Sequence, residues 1–136
     1  MAWDIKRWRH DNVQDYLPEW AAREVGPAVA PAVARVMETY YQLNFARRPE
    51  HLQWWLRNEA PRPSPLSRQE IDQRITLFSL LTVQAADLEP RLRPGTASAY
   101  GQLVGYPVLG SALANFRYFY GELGDTERAQ AADAQL

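Results

Sequence analysis

The chain has 136 residues, a length that suits one domain with its own hydrophobic core. Its net charge of -1 excludes a broad nucleic-acid-binding patch, and its hydrophobic fraction of 46% excludes a disordered tail. Because cysteine is absent, disulfides and thiolate metal sites are excluded too. No apolar run is long enough to span a membrane, and the start MAWDIKRWRH lacks the apolar segment of a signal peptide.

Helical periodicity dominates the chain, and strand signals such as sustained alternation or an Asn-Gly turn are nearly absent. The first predicted helix has Asp11 as its N-cap and runs to about Val25, with Pro18 kinking it or delaying its start. Gly26 is expected to end this helix in a left-handed conformation, and Pro27 is expected to open the second helix.

The second predicted helix carries a continuous apolar stripe formed by Val29, Val33, Val36, Tyr40 and Leu43. It is expected to end at Arg48, because a residue that precedes proline is pushed out of the α region. The connection that follows, about eighteen residues, is long for two neighbouring helices, so its own side chains are expected to hold it in place. The expected anchors are Leu52, Trp54, Trp55 and Leu56.

The third predicted helix has the clearest start, since Ser67 and Glu70 have the spacing of a capping box. Its apolar stripe ends at Leu92, and Pro94 with Gly95 then breaks the chain. Three further residues widen the apolar face and predict a central position for this helix: Leu77, Leu80 and Val83.

The fourth predicted helix restarts at Thr96 or Ser98 and ends at Gly124, with a kink at Pro107. Small residues would let another helix approach one of its faces closely: Gly101, Gly105, Gly110, Ser111, Ala112 and Ala114. The last segment, TERAQAADAQL, is too short to form a stable helix on propensity alone. The sequence therefore predicts an all-α protein, with residues 1–136 forming a single bundle of four helices plus a short, truncated fifth.

Residues suited to catalysis or metal binding are few. His10 and His51 each lack the i,i+4 partner of a helical zinc site, so we predict no metal and no cofactor. Acidic pairs such as Asp11 with Asp15 have a spacing typical of solvated helix surfaces. The amide of Asn115 lies on an apolar line of its helix, where hydrogen bonds within the bundle are favoured over ligand contacts.

The segment YYQLNFARRPEHLQWW contains the candidate substrate-binding residues Arg47, Arg48, Trp54 and Trp55. Arginine binds carboxylates through its planar fork, and tryptophan can stack on sugars. However, both arginines also lie in the last turn of a helix, where cations meet the negative end of the helix dipole. We interpret the turn mainly as helix termination and loop anchoring. Contact with another domain or subunit, and direct sugar contact, are the alternatives.

Three stretches resemble one known family: AWDIKRW, WAAREVGP leading into YYQLNFARRPEHL, and YGQLVGYPVLGSALANFRYFY. They are similar to the helical region that follows the catalytic barrel in glycoside hydrolase family 115, the xylan α-1,2-glucuronidases. The resemblance extends from Trp3 to about Ala132, and its most specific parts are the Arg-Arg-Pro-Glu turn and the segment near Tyr106.

The resemblance implies a parent protein that is large, exported to the periplasm or beyond, and active on xylan. Such enzymes release glucuronic acid or its 4-O-methyl form by inverting hydrolysis, which needs a general acid and a general base. The resemblance places both groups in the upstream barrel, so no carboxylate of this chain is assigned a catalytic role. The short last helix departs from the family pattern, which leaves apolar surface for a homodimer.

The resulting hypothesis is a non-catalytic helical module, excised from a larger glycoside hydrolase, that packs against the catalytic barrel of the same parent chain. A second hypothesis is a free-standing interaction module that binds a partner helix beside the small-residue face of the fourth helix. A third is a carbohydrate-contacting surface that uses Trp54, Trp55 and Arg47.

Overall fold

The computed structural model describes residues 6–52 and 62–136, and these residues form five helices and no strand. The helices are α1 (Tyr16–Val25), α2 (Ala30–Ala46), α3 (Arg68–Leu88), α4 and α5 (Thr126–Asp133). Helix α4 has three consecutive segments: α-helical Ala97–Tyr100, π-helical Gly101–Gly105 and α-helical Tyr106–Glu122. The predicted all-α class, with four helices plus a short fifth, is confirmed.

The first four helices close into a bundle around a main core, and a smaller cluster of Leu52, Ile71, Ile75, Tyr118 and Phe119 lies beside it. Helix α1 packs on α2, α2 on α3 and α3 on α4, while the first segment of α4 returns to α1. Val33, Phe78 and Ala112 are fully buried at the centre of this core. Helix α5 packs on the last segment of α4, where Ala132 is buried and Arg117 Nε lies 2.7 Å from Asp133 Oδ1. No helix in the described ranges has the length and apolarity needed to cross a bilayer.

The start of α1 is delayed, which is one of the two effects predicted for Pro18. A 3-10 turn spans Val13–Asp15, and the α-helix then begins at Tyr16, which places Pro18 in the first turn. A missing N–H is tolerated there, since the first N–H groups of a helix have no partner within it. The prediction that Asp11 is the N-cap was wrong: its backbone carbonyl accepts a hydrogen bond from Gln14, and its side chain caps nothing.

The junction between α1 and α2 confirms one prediction and corrects another. Gly26 ends α1 with a positive φ of +99°, as expected of a glycine there, but its ψ of 154° lies outside the left-handed helical region that was predicted. Pro27 does not open α2, which begins at Ala30 with Pro31 in its first turn. Val29 is the N-cap of α2, and its carbonyl accepts the first helical hydrogen bonds, from the backbone N–H groups of Ala32 and Val33.

The capping box of α3 is confirmed. The Ser67 hydroxyl accepts from the backbone N–H of Glu70 at 3.3 Å, and the Glu70 carboxylate accepts from the backbone N–H of Ser67 at 2.7 Å. The predicted end at Leu92 was wrong, because Pro90 converts the chain to a 3-10 turn over Glu89–Arg91. The widened apolar face is not buried either: Leu80 and Val83 are exposed, and Leu77 is half-buried.

In α4 the predicted kink at Pro107 takes the form of a π-helical segment. Pro107 has no N–H to give to the preceding turn, and its ring needs space there. The chain widens ahead of it, so that the Tyr106 N–H donates to the carbonyl of Gly101, five residues back. The predicted start at Thr96 is confirmed, and Asp125 caps α5 by accepting from the Arg128 N–H at 3.1 Å.

Candidate functional site

Arg47 marks the end of α2 and turns inward. Its backbone is extended (φ -146°, ψ 111°), so the helix ends at Ala46 and not at the predicted Arg48. Its Nη2 donates to the His51 carbonyl at 3.1 Å and to the Tyr118 hydroxyl at 3.3 Å. The guanidinium carbon lies 5.4 Å from the ring centre of Tyr118 and 5.7 Å from that of Phe119. Arg47 therefore joins the turn after α2 to the C-terminal part of α4.

Arg48 points the other way. Its side chain is exposed, and its Nη1 lies 3.9 Å from the carboxylate of Glu50, which is also exposed. A pair at that distance and exposure adds little stability. Trp54 and Trp55, the other two candidate residues, lie outside the described residues. The structure thus gives the two arginines different environments, one inside the bundle and one in solvent.

Sequence reasoning missed a third arginine. Arg74 of α3 is only 7% exposed, and its guanidinium makes three hydrogen bonds across the bundle. Nε donates to Asn115 Oδ1 at 2.7 Å, Nη1 to the Leu43 carbonyl at 3.0 Å, and Nη2 to the Arg47 carbonyl at 3.2 Å. Arg74 therefore gives a second donor to the Leu43 carbonyl, which also accepts from the Arg47 N–H, and satisfies the Arg47 carbonyl just past the end of α2. A basic residue in the apolar stripe, between Ile71 and Phe78, was the only sequence signal.

The electrostatics around Arg74 are unusual for a buried charge. Burial, together with the nearby charge of Arg47, lowers the pKa of Arg74 to about 10. Arg74 takes part in none of the ion pairs formed within the described residues. Carbonyl dipoles at the C-terminus of α2 and the rings of Phe78 and Phe119 stabilise the cation instead. We call Arg47, Arg74, Asn115 and Tyr118 the arginine cluster.

The buried amide of Asn115 confirms its prediction. The side chain is fully buried, accepts from Arg74, and donates to the Ser111 carbonyl at 2.7 Å. Asn44, on α2, donates to the Tyr40 carbonyl at 2.9 Å. Two buried atoms near the end of α2, Asn44 Oδ1 and Arg47 Nε, have no partner among the described residues.

Side chains of α4 also hold the connection that precedes α3. The Glu122 carboxylate accepts from the backbone N–H and the hydroxyl of Ser64 at 3.0 and 2.9 Å. The Tyr118 hydroxyl donates to the Arg62 carbonyl. Leu52 is buried against Ile71 and Phe119, which confirms it as an anchor. The arginine cluster is therefore the centre of a network that fixes the turn after α2 and the end of the connection.

A groove lies on the other side of α4. It has a volume of about 650 Å³ and separates the last turns of α3 from the π-helical segment of α4. We call it the α3–α4 groove; its lining includes Ala85, Ala86, Glu89, Gly101, Gly105 and Leu109. It lies beside the small-residue face that the sequence predicted for helix approach. Tyr106, also in the lining, is 72% exposed.

The chemistry of the α3–α4 groove suits binding rather than hydrolysis. Glu89 is the one carboxylate in its lining, whereas an inverting glycoside hydrolase uses two across its site. In the described part of the chain, no group of three or more potential metal ligands is found. What remains is a mainly apolar surface with a single acidic residue in its lining.

A second apolar surface lies on α2. Tyr41 and Phe45 are exposed one turn apart, and Phe45 is 86% exposed, with Arg48 next along the same face. Isolated exposed apolar residues are normal, but aromatic rings grouped beside an arginine are typical of contact surfaces.

Fold and site together define a helical bundle with a structural polar network and two exposed apolar surfaces. The family model described as glycosyl hydrolase family 115 matches residues 1–51. Among solved structures, a family GH115 4-O-methyl-α-glucuronidase with specificity for decorated arabinogalactans is similar, with 28% sequence identity and a TM-score of 0.87. The similarity covers 99% of this chain and 20% of that glucuronidase. No curated protein matches the chain.

These two matches agree with each other and with the stretches of sequence that carry the resemblance. The family resemblance is confirmed: the chain is similar to a helical region of a glycoside hydrolase family 115 enzyme. It spans one fifth of the length of the glucuronidase that it matches.

Proposed function

We propose that this chain is a non-catalytic helical module of an exported α-glucuronidase, and that it packs against the catalytic barrel of the same polypeptide. The observation that carries the proposal is the match over 99% of this chain to a 20% portion of a glucuronidase, at a TM-score of 0.87. Because nearly the whole chain matches one portion of a larger enzyme, we expect it to pack against the other portions of such an enzyme.

The distribution of polar groups supports a scaffolding role. The arginine cluster is the most extensive hydrogen-bond network among the described residues, and it joins α2, α3 and α4 to each other. Its guanidinium N–H groups donate to acceptors within the bundle. The α3–α4 groove supplies one carboxylate where inverting hydrolysis needs an acid and a base. Catalysis then falls to residues in the remaining part of the parent enzyme, and its substrate is a polysaccharide that carries glucuronic acid or the 4-O-methyl form.

Two assays test the proposal. The isolated chain is incubated with glucuronoxylan and with a glucuronate-decorated arabinogalactan, and the released acid is quantified. We expect no release, and turnover abolished by one carboxylate substitution in this chain would overturn the proposal. The second assay measures association between this chain and the polypeptide encoded next to it in the same reading frame, for which we expect saturable binding.

Homodimerisation is part of the same proposal, since apolar surface is exposed on more than one helix. Phe45 and Tyr41 on α2 and Leu80 and Val83 on α3 are all exposed. Sedimentation of the parent enzyme, compared with a Phe45→Ser variant, tests whether the α2 surface holds two subunits together. A monomeric wild-type parent enzyme would contradict this part.

A second candidate function is direct contact with the sugar chain through Arg48. Its exposed guanidinium, beside the exposed ring of Phe45, could pair with a glucuronate carboxylate while the ring stacks on a sugar face. Titration of the chain with glucuronate-decorated xylo-oligosaccharides, followed by NMR at the backbone amides of residues 43–52, tests it. Saturable shifts that are absent with undecorated oligosaccharide would support the contact.

A further inference from the structure

Among the described residues, the two glycines of the α3–α4 groove have no close packing neighbour. A Cβ added at Gly101 would meet nothing within 4 Å, and one at Gly105 would meet only the Glu89 carboxylate and the Tyr100 carbonyl, each at 4.0 Å. The backbone before and at Gly101 is helical (φ -53°, ψ -48° at Gly101), so no positive φ requires glycine there. Glycine in a helix interior is less favourable than alanine, and such a residue usually has a packing or functional reason.

The groove around these glycines has the features of a surface that another helix can approach. Residues without side chains let another backbone come close, and the groove places them opposite Ala86, another small residue, on α3. The rim supplies larger apolar groups, because Tyr106 and Leu109 are exposed beside the glycines. Open space at small residues, bordered by exposed apolar side chains, is the arrangement into which an amphipathic helix docks.

The carboxylate of Glu89 indicates which charge the molecule that occupies the groove should carry. Glu89 lies in the groove lining, and it takes part in none of the ion pairs formed by the described residues. A cation on the occupant would pair with this carboxylate at the edge of an apolar surface, where the pair is less screened than in open solvent. The size of the related enzyme supplies a source, since four fifths of that glucuronidase lies outside the portion matched by this chain.

We propose that the α3–α4 groove binds an apolar helix from the rest of the parent polypeptide, and that a lysine or arginine of that helix pairs with Glu89. The inference rests on the proposed function and adds to it the surface and the chemistry of the contact. A second copy of this chain and a small apolar ligand are the competing occupants.

The test measures binding of this chain to the polypeptide encoded next to it in the same reading frame, by isothermal titration calorimetry. Ala86→Trp fills the groove from an exposed position, and Ala131→Trp makes the same change at an exposed position on α5. We expect Ala86→Trp to weaken binding tenfold or more and Ala131→Trp to change it less than twofold. Equal effects of the two variants, with wild-type binding intact, would overturn the groove proposal and leave the proposed function standing.

The variant Gly101→Ala separates a loss of partner binding from a loss of folding. The added methyl group has room in the isolated chain, so the variant should unfold at a higher urea concentration while binding its partner more weakly. Glu89→Gln should weaken binding several-fold in 50 mM salt and less in 500 mM. Wild-type chain that does not bind the neighbouring polypeptide would overturn both proposals. Self-association lost in Ala86→Trp, with partner binding unchanged, would instead assign the groove to a second copy.

Discussion

Arg74 Nε donates to Asn115 Oδ1 at 2.7 Å, and this bond joins two buried polar side chains on different helices. Replacing one partner leaves the other buried without its hydrogen bond, which costs more than the bond itself contributes. We expect Asn115→Leu to lower the free energy of unfolding by about 2–3 kcal/mol, because a charged donor is left unsatisfied. Arg74→Met should lower it by about 3 kcal/mol or more, since the carbonyls of Leu43 and Arg47 also lose their hydrogen bonds to this guanidinium.

The double variant Arg74→Met/Asn115→Leu separates the energy of coupling between these two residues from their independent effects on stability. Because Arg74→Met removes the donor that Asn115→Leu leaves unpaired, the combined loss should be at least about 1 kcal/mol smaller than the sum of the single losses. Urea unfolding followed by circular dichroism measures all three. Arg68→Met is the control: Arg68 is exposed on the same helix, 3.8 Å from Asp72, and should change stability by about 0.5 kcal/mol or less. Additive losses in the double variant would contradict the coupling.

Tyr100 makes the stability of the bundle depend on alkaline pH. Its hydroxyl donates to the Ala85 carbonyl at 2.6 Å, and burial, with the nearby charge of Glu89, raises the pKa of Tyr100 to about 12. A pKa raised in the folded state means that the stabilisation is fully present below the unfolded value near 10 and is lost as pH rises through 12. Wild type should exceed Tyr100→Phe by about 1–2 kcal/mol at pH 8, and this advantage should vanish by about pH 12.

Urea titrations of both proteins at intervals between pH 8 and 12 measure that difference. Comparing the two proteins cancels the titration of other groups, Arg74 included. Tyr106→Phe is the control, because Tyr106 is exposed and its hydroxyl has no described partner to lose. A difference between wild type and Tyr100→Phe that stays constant over this range would contradict the assignment of the proton.

Two glycines should respond to the same substitution with opposite signs. Gly26 has φ +99°, and an added Cβ would lie 3.2 Å from Arg93 Cβ, so Gly26→Ala introduces both strain and a close contact. We expect it to lower the free energy of unfolding by about 2 kcal/mol. At Gly110, inside α4, an added Cβ meets nothing within 4 Å, and Gly110→Ala should raise it by about 0.5–1 kcal/mol. Thermal unfolding of both variants checks the signs, and destabilisation by Gly110→Ala would indicate strain that the backbone does not show.

Local features of this fold are the ones that sequence predicted well. The Ser67–Glu70 capping box and the positive φ of Gly26 depend on a few neighbouring residues, so short motifs are enough to identify them. The predictions of Asp11 as the N-cap of α1 and of Pro27 as the start of α2 were wrong because two possible helix starts lie about one turn apart at each place. Proline at position 107 indicated a disturbance, but the choice of a π-helical segment over a kink depends on what packs around it.

The candidate site was harder to predict, because its contacts join distant residues. Arg47 reaches Tyr118, which is 71 positions away, and Arg74 reaches Asn115, 41 positions away. Neither partner can be deduced from periodicity, which gives the face of a helix but not its neighbour. Arg74 was missed because a single basic residue within an apolar stripe is usually a solvated side chain at the edge of that stripe.

Arg47 and Arg48 are adjacent in sequence, and their different environments make them a matched pair. Arg47→Ala removes hydrogen bonds to His51 and Tyr118 and the packing of the guanidinium on two rings, so the free energy of unfolding should fall by about 1–2 kcal/mol. Arg48→Ala removes only an exposed pair with Glu50 at 3.9 Å, and the change should be about 0.5 kcal/mol or less.

The same pair also separates the structural role from sugar binding. If Arg48 contacts glucuronate, Arg48→Ala should abolish the NMR shifts caused by decorated xylo-oligosaccharides while leaving the unfolding midpoint unchanged. Arg47→Ala should lower the midpoint, because the turn after α2 loses its link to α4. Equal losses of stability in both variants would contradict the inward and outward orientations. Shifts that persist in Arg48→Ala would transfer the sugar contact to another residue, and shifts absent from wild type at millimolar ligand would leave the turn as the structural end of α2.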